Sequence, residues 1–182
     1  METKQSIRKE VFGRRKMAPQ EEIENKSDLI FRKLIGLPEF SQAEYFFAYM
    51  DFKKEVMTGK MIEYALSLGK KVAVPKVEGD HMVFYEISDF TKLESGYFGI
   101  PEPEGCKECC AQTGFLLVPG VAFDAQKHRI GYGKGFYDRY LCAHPGFFTA
   151  AIAFEFQLFD AVPFEETDIR PDILITEDRL IR

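Results

Sequence analysis

The chain has 182 residues, of which 46% are hydrophobic and 29% charged, and its formal net charge is −5. This length and composition are typical of a globular protein with a sizeable core, so we expect a single domain over residues 1–182. The negative charge disfavours general nucleic-acid binding. The sequence also has no apolar run near the roughly 20 residues of a membrane span, which argues against a membrane protein. The polar start at residues 1–5 leads into no signal-peptide core and favours a cytoplasmic location.

Four cysteines are present, and disulfides are rare in the cytoplasm. Two of them have C-x-x-C spacing, but a four-ligand zinc site needs a second pair of ligands, for which only Cys142 and His144 lie near in sequence. We therefore favour free thiols over a structural zinc site. Besides Cys142, the chain has three cysteines that lie close together, Cys106, Cys109 and Cys110, and the C-x-x-C pair is Cys106 with Cys109.

The first two elements are predicted helices. From Thr3 to about Lys16 the helical pattern contains an apolar stripe, formed by Ile7, Val11 and Phe12. Basic residues lie near a common face of this helix, at Lys4, Arg8 and Arg15. The pattern alone favours a solvated basic face, and the alternative is a cationic clamp that reaches a phosphate. A second helix is predicted from Pro19, with Glu21 and Glu22 in its first turn, to Gly36.

Residues 44–50 are predicted to form a buried strand, and Asp51 to be the N-cap of a third helix that ends at Gly69. Met50 and Glu55 would then flank the carboxyl end of a strand and the first turn of the next helix. Ligands bind at such places in open α/β sheets. The alternatives are that Glu55 compensates a helix dipole and that Met50 fills the core.

The remaining strands are predicted at 71–77, ended by Pro75, and at 82–87, 115–118, 147–154 and 173–176. Strands that alternate with helices predict an α/β fold, a three-layer α/β/α sandwich with a largely parallel, mixed sheet. Residues 89–112 are predicted to be irregular, and a loop this long is usually functional or disordered. Within it, Tyr97 and Phe98 either stack on a flat ligand ring or pin the loop down.

A glycine-rich segment follows the strand at 115–118. Gly131, Gly133 and Gly135 alternate with other residues, and a helix is predicted from Phe136. A strand, glycine loop and helix in this order present backbone N–H groups to phosphate. The spacing matches neither G-x-x-x-x-G-K-[ST] nor G-x-G-x-x-G, so the glycines alone fit a tight turn equally well. Nearby charged residues favour an anion or nucleotide-phosphate site, namely Arg129, Lys134 and Asp138.

Residues 118–139 resemble the signature of the 5-formyltetrahydrofolate cyclo-ligase family, also called 5,10-methenyltetrahydrofolate synthetases. That pattern reads V-P-G-V-A-F-D-x-x-G-x-R-[LI]-G-x-G-x-G-[YF]-Y-D-R. The one clear departure is Lys127, which stands at the family's glycine and suggests a different turn before Arg129. Other segments also occur in the family's order, at Lys4-x-x-x-Arg8, 50–55, 99–103 and 170–172.

The resemblance implies ATP-dependent, Mg²⁺-requiring cyclisation of 5-formyltetrahydrofolate to 5,10-methenyltetrahydrofolate, with release of ADP and phosphate. The step would proceed through a phosphorylated formyl group, an imidoyl phosphate. We expect a monomer that binds neither nucleic acid nor membrane. One alternative is a non-catalytic folate- or nucleotide-binding protein on the same fold. Another is a sugar-phosphate or acyl-CoA enzyme on a similar α/β fold, which would act without ATP.

The resemblance also implies site residues. The catalytic residues would be Lys134 and Arg129. ATP would be held by Lys4, Arg8, Arg129, Ile130, Gly131, Tyr132, Gly133, Lys134, Gly135, Phe136 and Tyr137. The folate would contact Met50, Glu55, Phe98, Tyr132, Gly133, Lys134, Gly135 and Phe136. The magnesium positions would be Asp138 and Asp172.

Overall fold

The fold is seen in a computed structural model that describes residues 3–182. The α-helices are α1 (Lys4–Met17), α2 (Gln20–Ile35), α3 (Pro38–Gln42), α4 (Gly59–Ser67) and α5 (Phe136–Ala143). The strands are β1 (Tyr45–Phe47), β2 (Lys71–Glu78), β3 (His81–Ile87), β4 (Leu93–Ser95), β5 (Pro101–Pro103), β6 (Gly114–Val118), β7 (Ala122–Phe123), β8 (Arg129–Ile130), β9 (Phe147–Ile152), β10 (Ile173–Ile175) and β11 (Leu180–Ile181).

A seven-stranded mixed sheet forms the centre of the fold, in the order β11-β10-β9-β6-β1-β2-β3. The five inner strands run parallel, and β3 and β11 pair antiparallel at the two edges. This confirms the predicted α/β class with a largely parallel, mixed sheet. Two small antiparallel ladders lie outside it, β4 with β5 and β7 with β8.

Helices cover both faces of the sheet because side chains alternate along each strand. Phe46 of β1 packs with buried residues of α2, α3 and α4, whereas the neighbouring Phe47 packs on the other face with Leu141 of α5. Helix α1 lies on the β7–β8 hairpin, where Ile7 and Val11 are fully buried. The arrangement is the predicted three-layer sandwich.

The connections of the sheet create a crevice between β1 and β6. From β1 the chain passes through α4 to β2 on one face, and from β6 it passes through α5 to β9 on the other. Where neighbouring strands send their connections to opposite faces, a gap opens at their carboxyl ends. The segments that leave β1 and β6 there are residues 48–58 and 119–135.

Several predicted boundaries are corrected by the structure. The helix after β1 begins at Gly59, and Asp51 instead closes a loop, because its Oδ1 accepts hydrogen bonds from Thr58 N (2.8 Å) and Oγ1 (3.0 Å). Glu55 is therefore not in a first helical turn, and the dipole interpretation is wrong. Pro75 lies inside β2 and does not end it. Proline is tolerated there because position 75 lies beyond Ala73, the last residue of β2 that pairs with β1.

The predicted apolar stripe and the predicted long loop also need correction. Phe12 is 43% exposed and its ring stacks on Tyr132 at a centroid distance of 5.9 Å, so it does not belong to the core. Residues 89–112 are only partly irregular, because β4 and β5 form a ladder within them. The short strands β7, β8 and β11 were not predicted, since two residues carry no periodicity.

The cysteines are free thiols in the structure. Within residues 3–182 no group of three or more His, Cys, Asp or Glu side chains could hold a metal ion. None of the helices in the same range is both long enough and apolar enough to cross a bilayer.

We predict that Phe47→Ala destabilises the fold by about 3–5 kcal/mol, because the ring is fully buried and packs edge-on against Phe84 and Phe147. The measurement is chemical unfolding. The control is Leu68→Ala, at a side chain that is 52% exposed, for which we expect a change within about 0.5 kcal/mol. Equal effects of the two substitutions would contradict this description of the core.

Candidate active site

The basic face of α1 lies against the segment after β6. Arg8 Nε donates a hydrogen bond to the Gly131 carbonyl oxygen (2.8 Å), and Arg15 Nη2 donates to the Gly120 carbonyl oxygen (3.1 Å). Arg15 is only 3% exposed. The interpretation as a solvated face is therefore wrong for Arg15, and α1 is fastened to the loop at residues 131–135, which we call the glycine loop.

A buried polar contact joins α1, the glycine loop and the segment after β1. Arg15 Nη1 donates to the hydroxyl of Tyr132 (2.6 Å), and that hydroxyl donates to Oε1 of Glu55. The distance from Arg15 Nη1 to the same carboxylate oxygen is 3.9 Å. The Tyr132 ring is half exposed, but its hydroxyl points inward onto the carboxylate.

Glu55 is held in a strained loop. The preceding residues, Lys53 and Lys54, have φ angles of 46° and 58°, which non-glycine residues rarely adopt. Lys54 Nζ donates to the Ala18 carbonyl oxygen (2.6 Å) at the end of α1, and Oε2 of Glu55 accepts from Phe52 N (2.9 Å). Burial raises the pKa of Glu55, against the opposing effects of Arg15 and the Tyr132 hydroxyl.

The glycine loop offers donors without partners. Gly133 and Gly135 have φ angles of 101° and 66°, so these positions favour glycine. Within residues 3–182, the N–H groups of residues 132–135 donate no hydrogen bond. Lys134 is exposed, and its ammonium group has no acceptor in the same range, while its carbonyl oxygen accepts from Arg139 Nη1 (2.7 Å). Because α5 begins directly after this loop, its positive end adds to the attraction for an anion.

Arg129 is buried beside Asp138. Its Nη2 lies 2.5 Å from Asp138 Oδ1, and its Nη1 donates to the Pro119 carbonyl oxygen (3.2 Å). The same Oδ1 accepts from Ile169 N (3.0 Å). Arg129 thereby links the start of α5 to the segment after β6.

Unpaired buried atoms concentrate at this site. Buried polar atoms are normally hydrogen-bonded, and each exception needs an explanation. Among residues 3–182, the buried side-chain nitrogen and oxygen atoms without a partner are Arg15 Nε, Arg129 Nε and the Tyr137 hydroxyl oxygen. All three residues lie around the segment of residues 119–137, which is where a polar ligand would supply the missing contacts.

Lys4 reaches the acidic loop at residues 163–171. Its Nζ lies 2.8 Å from Asp168 Oδ2 and 2.9 Å from Glu165 Oε1. Burial lowers the pKa of Lys4, but the hydrogen bonds to the two carboxylates outweigh it and raise the pKa overall. Since Ile169 follows Asp168 and bonds Asp138, Lys4 stands on the same side of the site as Arg129.

Asp172 lies directly before β10, three residues after Ile169, whose N–H donates to Asp138. Its Oδ2 accepts from Thr149 N (2.7 Å) and Oγ1 (2.8 Å), and it makes no hydrogen bond to Asp138. Asp138 and Asp172 each keep one carboxylate oxygen that makes no hydrogen bond within residues 3–182. Free carboxylate oxygens suit Mg²⁺, which takes few protein ligands and keeps water and phosphate oxygens.

The aromatic residues predicted to face the folate lie beside the glycine loop. Phe98 is 70% exposed, with a φ angle of 57°. Its ring lies 4.4 Å from that of Tyr97, which in turn contacts Phe136 edge-on at 6.3 Å. Met50 is half-buried and packs against the core, as the core-filling interpretation expects. It also belongs to the segment of residues 48–58 that borders the crevice.

A separate cavity of about 500 Å³ lies on the other side of α5, between β3 and residues 108–112. Of the predicted site residues it touches only Phe136. Its lining mixes Asp80 and Glu108 with Arg139, so it does not favour an anion as the glycine loop does. We therefore place the candidate active site at the glycine loop.

Comparison with known proteins gives a family. The model of the 5-formyltetrahydrofolate cyclo-ligase family matches residues 1–177. The chain belongs to the 5-formyltetrahydrofolate cyclo-ligase family. A probable 5-formyltetrahydrofolate cyclo-ligase of Schizosaccharomyces pombe is 31% identical over 179 residues, which cover 88% of each chain. The resemblance of the sequence to this enzyme family is thereby confirmed.

Solved structures agree with the fold. The NMR structure of the 5,10-methenyltetrahydrofolate synthetase of Aquifex aeolicus superposes with a TM-score of 0.88 at 33% identity, covering 98% of this chain and 92% of that one. The synthetase of Mycoplasma pneumoniae has a TM-score of 0.76 at 23% identity, covering 96% of this chain and 98% of that one. The second likeness concerns the fold alone.

Lys127, which replaces the glycine of the cyclo-ligase signature, has a φ angle of 66°. Glycine adopts this conformation readily, so the lysine does not require a different turn. Its Nζ donates to the Asp172 carbonyl oxygen (2.7 Å) and connects this turn to the start of β10.

Sequence reasoning missed two parts of the site. The sequence pattern places Arg15 on the basic face of α1 but gives it no partner. Its spacing from Lys4 and Arg8 does indicate that the three side chains leave the helix on the same side. Phe12, assigned to the core, supports the Tyr132 ring instead. No pattern within the sequence pairs either residue with Tyr132, because the contacts join segments that are more than a hundred positions apart.

We predict that Lys127→Gly is more stable than Lys127→Ala by about 1 kcal/mol, because alanine keeps the unfavourable left-handed conformation and glycine relieves it. Both variants lose the bond to Asp172, so their difference isolates the backbone effect. Chemical unfolding measures it. An alanine variant that equals or exceeds the glycine variant would contradict the observed conformation of this turn.

Proposed function

We propose that the protein catalyses the ATP-dependent cyclisation of 5-formyltetrahydrofolate to 5,10-methenyltetrahydrofolate, with release of ADP and phosphate. The observation that carries the proposal is the double contact of the glycine loop. It meets Arg8 of the predicted ATP site through Gly131 and Glu55 of the predicted folate site through Tyr132. One loop can therefore serve both substrates of a ligase.

The chemistry follows from the formyl group. An N-formyl group resembles an amide, so its carbon is a weak electrophile and its oxygen a poor leaving group. Transfer of the γ-phosphoryl group of ATP to that oxygen gives an imidoyl phosphate and ADP. N10 then attacks the activated carbon and loses its proton to solvent, the C–O bond breaks, and phosphate leaves as the methenyl ring forms. Such transfers depend mainly on positioning and on neutralising charge.

The cationic residues supply that neutralisation. In this proposal Lys134 and Arg129 face the transferred phosphoryl group, while Lys4 and Arg8 hold the remaining phosphates of ATP. Lys4 would exchange its contacts with Glu165 and Asp168 for the nucleotide. The rest of residues 129–137 contributes backbone N–H groups, which cost no reorganisation in the transition state.

Mg²⁺ would be held through the free carboxylate oxygens of Asp138 and Asp172. When bound, it neutralises negative charge on the phosphate groups. In each carboxylate the other oxygen is already fixed, in Asp138 by Arg129 and the Ile169 N–H, and in Asp172 by the N–H and hydroxyl groups of Thr149.

The folate side of the site centres on Glu55. A carboxylate accepts hydrogen bonds, and the pterin ring of the substrate offers N–H donors. In this proposal the Tyr132 hydroxyl, which donates to Glu55 in this structure, gives way to the ring. Met50, Phe98 and Phe136 would contact the flat parts of the substrate.

A monomeric cytoplasmic enzyme remains our expectation. The alternative is a non-catalytic binder of folate and nucleotide. We favour the enzyme because the cations and both predicted metal carboxylates are retained in this chain.

The direct test is incubation with 5-formyltetrahydrofolate and Mg·ATP. We expect the methenyl chromophore and ADP in equal amounts. Tight binding of both ligands without ADP release would identify the non-catalytic binder and overturn the proposal.

We predict that Lys134→Ala lowers kcat by about 100-fold, because it removes a charge that acts on the transferred phosphoryl group. The fold should be unaffected, since the side chain is exposed and unpaired within residues 3–182. Steady-state kinetics measures the effect. Lys60→Ala is the matched control, at an exposed lysine of α4 paired with Asp28, and its kinetics should equal those of the unmodified protein. Equal activity of the two variants would remove Lys134 from the mechanism.

We predict that Glu55→Gln raises KM for 5-formyltetrahydrofolate by about 10–100-fold, because a charged acceptor of hydrogen bonds becomes neutral. KM for ATP should stay within about twofold. The matched control is Glu63→Gln on the exposed side of α4, which should leave both constants unchanged. A change confined to KM for ATP would contradict the assignment of Glu55 to the folate.

A further inference from the structure

Arg15 is the least exposed of the three cations on the basic face of α1, and the signature of the family does not include it. We propose that Arg15 is a positioning residue that holds the Glu55 carboxylate in place, as an anion, for the incoming folate. The inference rests on the proposed function, because it assumes that Glu55 receives the folate ring. It assigns a role to a residue that the resemblance left without one.

The first support is the geometry of three groups. The Tyr132 hydroxyl lies between the guanidinium and the carboxylate, accepting from Arg15 Nη1 (2.6 Å) and donating to Glu55. Arg15 is anchored independently through Nη2 to the Gly120 carbonyl oxygen (3.1 Å). When Tyr132 leaves, Arg15 therefore stays, with Nη1 already 3.9 Å from the carboxylate.

The second support is the cost of an isolated charge. Glu55 is 6% exposed, and a buried carboxylate without a counter-charge is strongly unfavourable. Within residues 3–182, Arg15 supplies the only cationic nitrogen within 4.0 Å of a Glu55 oxygen. Lys54, next to it in sequence, directs its ammonium to the carbonyl oxygens of Ala18 and Lys16 instead.

The other groups that face Glu55 do not replace Arg15. Tyr49, Tyr132 and Tyr137 are neutral near neutral pH, since burial raises the pKa of each hydroxyl. Asp51, from the same loop, is an acidic residue whose charge raises the pKa of Glu55 and so disfavours its ionised form. Burial raises the pKa of Glu55, and Arg15 is the charge that works against this rise.

The consequence is a defined pH dependence. Without Arg15 the pKa of Glu55 rises further, so Glu55 becomes protonated at a higher pH. Binding that requires the anion is present above this pKa and is lost as the pH falls through it. In a plot of kcat/KM for 5-formyltetrahydrofolate against pH, the fall on the acid side (the acid limb) should therefore move to higher pH when Arg15 is replaced by an uncharged residue.

The test compares Arg15→Met with Arg15→Lys by initial rates of ADP release over a range of pH, at saturating Mg·ATP. For Arg15→Met we expect the acid limb to move up by about one pH unit, with KM for 5-formyltetrahydrofolate raised about tenfold on that limb and the difference shrinking as the pH rises above it. kcat at saturating folate should change little. Arg15→Lys keeps the charge and should keep the acid limb near that of the unmodified protein.

Two controls separate positioning from mere stability. Arg14→Met, at the exposed neighbour that pairs with Glu10, should leave the profile unchanged. A Glu55→Gln background has no carboxylate to titrate at this position, so adding Arg15→Met there should leave the pH profile as it is in Glu55→Gln alone. A shift of the same size in that background, or a loss equal at every pH, would overturn the inference.

Folding is followed by the thermal unfolding of each variant. If Arg15→Met does not fold, Arg15→Lys still decides, because a lysine variant whose acid limb moves up by a full pH unit contradicts a role of the charge. Absence of turnover in the unmodified protein would overturn the proposed function. Turnover with an unmoved limb in Arg15→Met would overturn only the role of Arg15.

Discussion

The burial of the Glu55 carboxylate is the constraint on which the rest of the site depends. A buried carboxylate must be paired and hydrogen-bonded, and removing one partner of such a pair typically costs about 3–5 kcal/mol. Here the partners come from segments far apart in the chain, Arg15 from α1 and Tyr132 from the glycine loop. Satisfying one carboxylate therefore brings together the N-terminal helix, the loop after β1 and the loop before α5. These are the three segments to which the family's two substrates are assigned.

The topology of the sheet makes that meeting possible. Because the connections after β1 and β6 leave toward opposite faces, the two carboxyl ends open a crevice rather than a packed surface. Arg129 and Asp138 occupy one side of it, and Glu55 occupies the other. Among residues 3–182, the buried side-chain nitrogen and oxygen atoms without hydrogen-bond partners belong to residues of this region, where a polar ligand would supply the missing contacts.

Much of this could be predicted from the sequence, and the remainder could not for physical reasons. Helix α1 and the glycine loop follow from periodicity and from glycine spacing, which depend on residues close in the chain. The same spacing placed Arg15 on a common face with Lys4 and Arg8, but a face has no partner until the fold supplies one. Glu55 was assigned to a helix because Asp51 resembles an N-cap, whereas Asp51 instead closes the loop through Thr58. A short acidic side chain fits either role, and the contact with Thr58, seven positions along the chain, decides between them.

The most direct measurement of the central claim, that one loop serves both ligands, is a crystal structure with ADP, Mg²⁺ and 5-formyltetrahydrofolate bound. We expect phosphate oxygens within hydrogen-bonding distance of Lys134 and Arg129, ring N–H groups on Glu55, and the Tyr132 hydroxyl displaced from that carboxylate. Folate bound instead in the cavity between β3 and α5, with Tyr132 still on Glu55, would contradict the account.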